Sequence, residues 1–434
     1  MTDLVGLPEL DFGGSRPWTA LPSHRDWLHG QARELTRFAR ASVRADGGFW
    51  WLDDAGRPDP SQPLHTWIAC RMTHVYGLAN LQGEPGAGPI ADHGVAALSG
   101  LLRDPQHGGW FGSVSGDGRP VDDRKAAYPH AFVVLAASTA TRARRPGAAD
   151  LLRGALDMVS ERFWDEDAGR TRESWSRDWS TEEDYRGANS SMHMVEAFLA
   201  AGDATGDPQW YARALRICEH LIHEVAAEHE WRLPEHFDTG WRPLLDYHAD
   251  QPADQFRPFG STVGHWLEWS RLLLHLESAL LDPPNWLLQD AQALFFAAVR
   301  RGWGVDGADG LVYTVAFDDK PVVRARMHWV VAEAIAAAAV LRARTGDWRF
   351  EAWYRTFWDY AERYLIDAEQ GSWRHELDPD NRPAQSTWSG KPDVYHAYQA
   401  ALIPTLPIAP ALAGAVGADR ALGTDGVIAK AAGQ

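Results

Sequence analysis

The chain has 434 residues, 45% hydrophobic and 23% charged, which excludes collagenous, disulfide-framework and wholly disordered proteins. Its net charge of −17 repels a phosphate backbone, and no basic run offsets it, so neither nucleic acid nor an anionic membrane is expected as a partner. Two cysteines, Cys70 and Cys218, are too few for a disulfide scaffold or a thiolate zinc site and fit a reducing compartment.

From the N-terminus onward, MTDLVGLPELDFGG lacks the basic and apolar segments of a targeting signal. No apolar window is long enough to span a bilayer, so a cytoplasmic protein is expected. Helical periodicity predicts twelve helices, over 25–45, 64–82, 90–104, 128–144, 148–163, 190–205, 208–226, 263–281, 286–301, 326–345, 348–366 and 393–404. Separators such as GDATGDPQW and RTGDWRF place a Gly to end one helix and an Asp to cap the next. A glycine–tryptophan turn recurs at 47–58, 108–120, 163–175 and 371–383, with a looser relative at 304–321. Asp-Ala-Gly, Gly-Asp-Gly and Asp-Asn-Arg between short apolar segments read as β-hairpins. Twelve helices taken as six hairpins, with such turns between them, predict an all-α (α/α)6 barrel in one domain. The barrel is expected over about 20–406, with 407–434 as a peripheral tail and the short β-hairpins at one mouth.

Histidine falls in phase with this repeat. His65, His130, His193, His265, His328 and His396 each open or nearly open an alternate helix, at spacings of 65, 63, 72, 63 and 68 residues. If those helices form the inner ring, the six side chains meet at one mouth, with His65 and His130 the two most readily explained as structural. Convergent polar groups in an aromatic-lined cup form a binding site by default. The 22 tryptophans add flat faces that suit the C–H face of a pyranose, although core filling accounts for most of them. Other polar residues keep helical company with the histidines. Glu268 follows His265 by three positions and Glu196 follows His193 by three, so each pair shares a face. Arg71 lies deeper on the helix of His65, Glu333 follows His328 by five, and Asn189 precedes His193 by four, at a position that also suits a helix cap.

Several histidines, an arginine and a glutamate around a sugar-sized cup suit proton transfer near neutrality. The target is the proton on the carbon beside the carbonyl of an open-chain aldose, whose removal gives an enediolate. Arg71 would stabilise the oxyanion with a permanent charge, and Glu268 would hold the tautomer of a histidine or raise its basicity. A metal route is the rival: no HExxH motif occurs, and histidines from separate helices neither support nor exclude a spatial site. Glycoside hydrolysis would need two flanking carboxylates where the repeat places histidine. A non-catalytic sugar-binding protein is the remaining alternative.

The segments RMTHVYGLA (71–79), ANSSMHMVEAFLAAGDATGD (188–207), RPFGSTVGHWLEWSRLLLHL (257–276), RMHWVVAEAIAAA (326–338) and GKPDVYHAYQA (390–400) resemble the N-acylglucosamine 2-epimerase superfamily, most of all its aldose–ketose isomerase branch. The resemblance implies an (α/α)6 barrel and proton transfer through a cis-enediol(ate) without metal or other cofactor. It carries the catalytic roles onto Arg71, His193, His265, His396 and Glu268. His396 is then the base that moves the proton between C2 and C1, and His265 serves ring opening and the oxygens. Substrate contacts are expected from Trp67, Tyr128, Asn189, His328, Trp329, Glu333 and Trp388. Either an isomerase or a 2-epimerase can use two histidines. Epimerases of the superfamily tend to carry Trp-Trp-Pro where this chain has Arg326-Met-His-Trp329, which favours the isomerase. Arg257 is the nearest candidate for a sulfonated sugar, unless it pairs with Asp254. The expected substrate is a neutral monosaccharide, D-mannose interconverted with D-fructose, with D-lyxose as a shorter analogue. The expected assembly is a monomer or small homo-oligomer.

Overall fold

The structure, a computed structural model, describes residues 16–418, so the end of the predicted tail, 419–434, lies outside the described residues. Among the described residues twelve α-helices build the fold: α1 (Pro22–Ala39), α2 (Thr66–Leu81), α3 (Ala87–Ser99), α4 (Ala127–Arg142), α5 (Ala148–Met158), α6 (Ala188–Thr205), α7 (Gln209–Cys218), α8 (Val263–Ala279), α9 (Trp286–Gly302), α10 (His328–Thr345), α11 (Trp348–Tyr360) and α12 (Tyr395–Leu402), with a further helical stretch over 412–418. The even-numbered helices form an inner ring in which each touches the next, and α12 returns to α2. The odd-numbered helices lie outside, giving the expected (α/α)6 barrel.

The two rings differ because their sequences differ. Inner helices such as α2, α8 and α10 are buried on almost every position, as a helix surrounded by others must be. Outer helices such as α5 and α7 bury one stripe and expose the rest. Gly94 lets α3 settle against α2, since a Cβ there would collide with Thr73. Helices α6 and α10 stop at Gly206 and Gly346, both left-handed, and their N–H groups return to Gly202 and Arg342. Asp347 caps α11 by accepting from the Arg349 N–H at 2.8 Å.

Two details differ from the linear reading. The hairpin partner of α1 is α12, so the first and last helices of the barrel together make the sixth unit. The segment before each of the other inner helices pairs antiparallel with a segment beyond the next outer helix: 64–65 with 113–114, 125–126 with 174–175, 186–187 with 236–237, 261–262 with 314–315, and 326–327 with 376–377. In the sixth unit the chain ends supply this link, through Lys391 N–H donating to the Leu52 carbonyl at 2.8 Å. The repeated turns fold as expected, with bridges such as Leu52 to Pro58 and Leu377 to Pro383 closing the hairpins. The described part of the tail closes the far mouth of the barrel: Ala409 accepts from His275 Nδ1 at 2.6 Å, and Leu412 and Val416 are buried. None of the described helices is long and apolar enough to cross a membrane.

Candidate active site

The inner helices begin at the hairpin-bearing mouth, and their first turns surround a cavity of about 670 Å³ open to solvent. Four of the six in-phase histidines line it, namely His193, His265, His328 and His396. His130 does not: its Nδ1 meets the Ala126 carbonyl at 2.6 Å and its Nε2 accepts from the Trp110 N–H at 3.2 Å, so it braces the hairpin. His65 lies in the wall of a neighbouring outer cavity. Residues Trp67, Arg71, Tyr128, Asn189, Glu268, Trp329 and Trp388 also line the inner cavity.

Two of the histidines have a carboxylate behind them. Nδ1 of His396 lies 2.9 Å from Glu333 Oε1, and Nδ1 of His265 lies 3.0 and 2.9 Å from the two oxygens of Glu235. Against an ionised carboxylate, which only accepts, an imidazole donates Nδ1–H and keeps its Nε2 lone pair, the arrangement of a base. Both rings pack on the Trp329 indole, with centroids 5.2 Å from it for His265 and 5.7 Å for His396. Gly264 makes room for that indole, since a Cβ there would strike it. Burial, reinforced by the positive Arg71, holds His396 well below the usual imidazole range, so it stays neutral at neutral pH. Burial likewise lowers His193 and His328 to about 4.

Arg71 faces the cavity from α2. It pairs with Asp393 at 3.2 Å and donates to the Tyr128 hydroxyl at 3.1 Å, while the rings of Trp67, Phe132 and Tyr395 lie 4.6–4.9 Å from its guanidinium carbon. Tyr128 has its pKa pushed up to about 12 by burial, so it remains a donor. Over the cavity, Trp388 meets Phe256 edge-on at 5.4 Å, and Gln255 donates to the Thr387 carbonyl at 3.3 Å. Glu376 anchors this strap by accepting from the N–H groups of Ser386, Thr387 and Trp388.

The structure corrects three sequence expectations and decides between the two readings of Asn189. Glu333 does not touch the cavity but stands behind His396, because position 333 is a turn deeper on α10 than His328. Glu268 lines the floor yet backs neither base; it lies 3.8 Å from His193 Nδ1, and Glu235 holds His265 instead. Arg257 is outside the inner cavity, in a two-pronged pair with Glu183 at 2.7 and 3.0 Å, stacked over Tyr185. Its backbone, not its guanidinium, meets Asp254, at 2.7 Å. Asn189 sits inside α6, where the preceding Gly187 is the cap position, so its role is in the cavity wall rather than at the helix end.

Glu235, Asp393, Tyr313 and His375 escaped sequence reasoning. His375 stacks on His328 with centroids 3.8 Å apart, from a hairpin loop rather than a helix start. The one available signal was its position in the recurring turn GSWRHELDPDNRP.

The sequence profile of the N-acylglucosamine 2-epimerase (GlcNAc 2-epimerase) family matches residues 47–400. The chain is 60% identical over 400 residues to a D-mannose isomerase of Thermobifida fusca, covering 92% of this chain and 98% of that one. It is 51% identical over 403 residues to a D-mannose isomerase of Pseudomonas cannabina pv. alisalensis, covering 92% and 97% of the two chains. A crystal structure of a D-mannose isomerase superposes with a TM-score of 0.82 at 28% identity, covering 89% of this chain and 98% of that one.

Proposed function

The chain belongs to the N-acylglucosamine 2-epimerase family, and from that premise we propose that it is an aldose–ketose isomerase interconverting D-mannose and D-fructose. The observation that carries the chemistry is the pair of carboxylate-backed imidazoles, His265 and His396, packed on one tryptophan in a cavity of sugar size. In the open-chain aldose, Nε2 of His396 takes the proton from C2. The C–H electron pair forms the C1–C2 double bond, and the carbonyl pair moves onto O1. Arg71 stabilises the enediolate oxygen with a charge that does not titrate. His396 returns the proton to C1, while His265 takes the O2 proton and delivers it to O1, leaving the C2 ketone. Ring opening of the pyranose uses the same His265.

A neutral substrate fits better than a sulfonated one, because Glu183 already neutralises Arg257. Hydrolysis lacks its carboxylate pair: Asp393, one of the two carboxylates lining the cavity, is held by Arg71. D-Lyxose, one carbon shorter, would occupy the same site. Incubation with D-mannose in deuterated water, with chelator present, should yield D-fructose carrying deuterium at C1 to the extent that His396 exchanges its proton with solvent. Glucose as main product would make the enzyme an epimerase, and no conversion at all would end this reading. His396→Ala should lose the chemical step by about 10²–10⁴-fold, measured as kcat.

A further inference from the structure

Beneath the cavity floor, three buried carboxylates converge on a guanidinium that the proton transfer above does not use. Arg271, on α8, donates from Nε to Glu333 Oε2 at 2.9 Å, and its Nη2 lies 3.6 Å from Glu268 and 3.9 Å from Glu196. All four side chains are buried. The other oxygen of Glu333 is the one that meets His396 Nδ1.

We propose that Arg271 is a positioning residue: by holding Glu333 ionised, it keeps the proton of His396 on Nδ1 and leaves Nε2 bare toward the substrate. A carboxyl group in this interior would otherwise take up a proton. A protonated Glu333 has an O–H to donate, and the partner at Oε1 is Nδ1 of His396. The imidazole would then carry its proton on Nε2 and could not accept one from carbon.

The charges facing this cluster come from the inner helices around it, with Tyr128 approaching from α4. Glu196 and His193 approach from α6, Glu268 and His275 from α8, and His74 and Arg71 from α2. From α12, Tyr395 donates its hydroxyl to Glu196. Burial holds His74 and His275 near 4, so both are neutral near pH 7. Burial and the neighbouring Glu333 and Glu196 drive Glu268 well above the usual carboxyl range, so the surplus acid of the cluster keeps its proton there. Burial works in the same direction on Glu333, and Arg271 is the first force opposing it.

The inference rests on the isomerase reading for the role of His396, but not for its tautomer, and the test separates the two. Nitrogen-15 NMR of histidine-labelled wild-type enzyme, with the His396 signals identified by their loss in His396→Gln, should show the Nδ1–H tautomer. Finding Nε2–H there overturns the proposal whether or not the enzyme turns over D-mannose. In Arg271→Met the proton should shift to Nε2. The kcat for D-mannose should fall about 10²-fold or more at neutral pH with KM little changed. The acid limb of the kcat profile should move to higher pH, so that alkaline conditions restore part of the rate. Arg271→Lys should fall between the two. A folded Arg271→Met enzyme whose acid limb has not moved would show that Arg271 only supports the fold. Should that variant not fold, the wild-type tautomer decides. Absence of D-mannose turnover in the wild type would instead count against the proposed function.

Discussion

An imidazole offers a defined nitrogen as base when the other is committed, and His265 and His396 are so arranged through Glu235 and Glu333. The two pairings bridge separate parts of the chain, which is why the helix-face argument chose Glu268 for a task that it does not perform. Burial, then Arg71, holds His396 well below 6.5. A base acts in its unprotonated form, so a lower pKa moves the loss of activity to lower pH. The acid limb of kcat/KM for D-mannose should therefore lie below pH 6.5, and a limb at or above that value would remove His396 from the role.

Three of the inner helices deliver their side chains to the mouth at a fixed depth because their entries are stapled. Lys125, Arg326 and Lys391 stand just before α4, α10 and α12 and pair with Asp104, Asp306 and Asp367, which follow the preceding outer helices, at 2.9, 2.7 and 2.7 Å. The three cations are almost wholly buried, so the pairs fix geometry more than they add stability. The close approach of α8 and α10 is equally exacting, since the Trp329 ring fills the space beside Gly264. Gly264→Ala should push that indole away from both bases. Steady-state kinetics should show a higher KM and lower kcat for D-mannose, with stability reduced by about 1–3 kcal/mol in denaturant melts. Unchanged kinetics would mean that Trp329 does not position the sugar.

The molecule as a whole buries several histidines in the neutral form. His74 and His275 are held near 4 and His130 near 3, all chiefly by burial. The unfolded chain protonates these groups below about 6.5, so between pH 6.5 and 4 it binds more protons than the folded barrel. Stability is thus full above pH 6.5 and is lost as pH falls toward 4, by up to about 1.4 kcal/mol per pH unit for each such group. The midpoint of thermal unfolding should drop steadily over that range; a midpoint that stays level from pH 7 to 5 would contradict it. The far mouth of the barrel contributes to the same burial, since residues 407–412 lie against His275 and help to keep solvent from the Arg271 cluster.

Helix periodicity, Gly stops, Asp caps and the recurring turns were legible because each depends on residues within a few positions of one another. The spacing of histidine by about 65 residues was legible for a related reason, as one repeat unit returns each inner helix to the same depth. The phase alone does not separate His130 from His193, although the sequence already marks His65 and His130 as the two most readily structural; the difference lies in a hairpin N–H from Trp110 that reaches His130. Nor could the phase pair Glu235 with His265 across 30 residues, Glu333 with His396 across 63, or Arg71 with Asp393 across 322. Those partnerships exist only in the packed barrel, for the rotation of each inner helix against its neighbours selects which side chains meet.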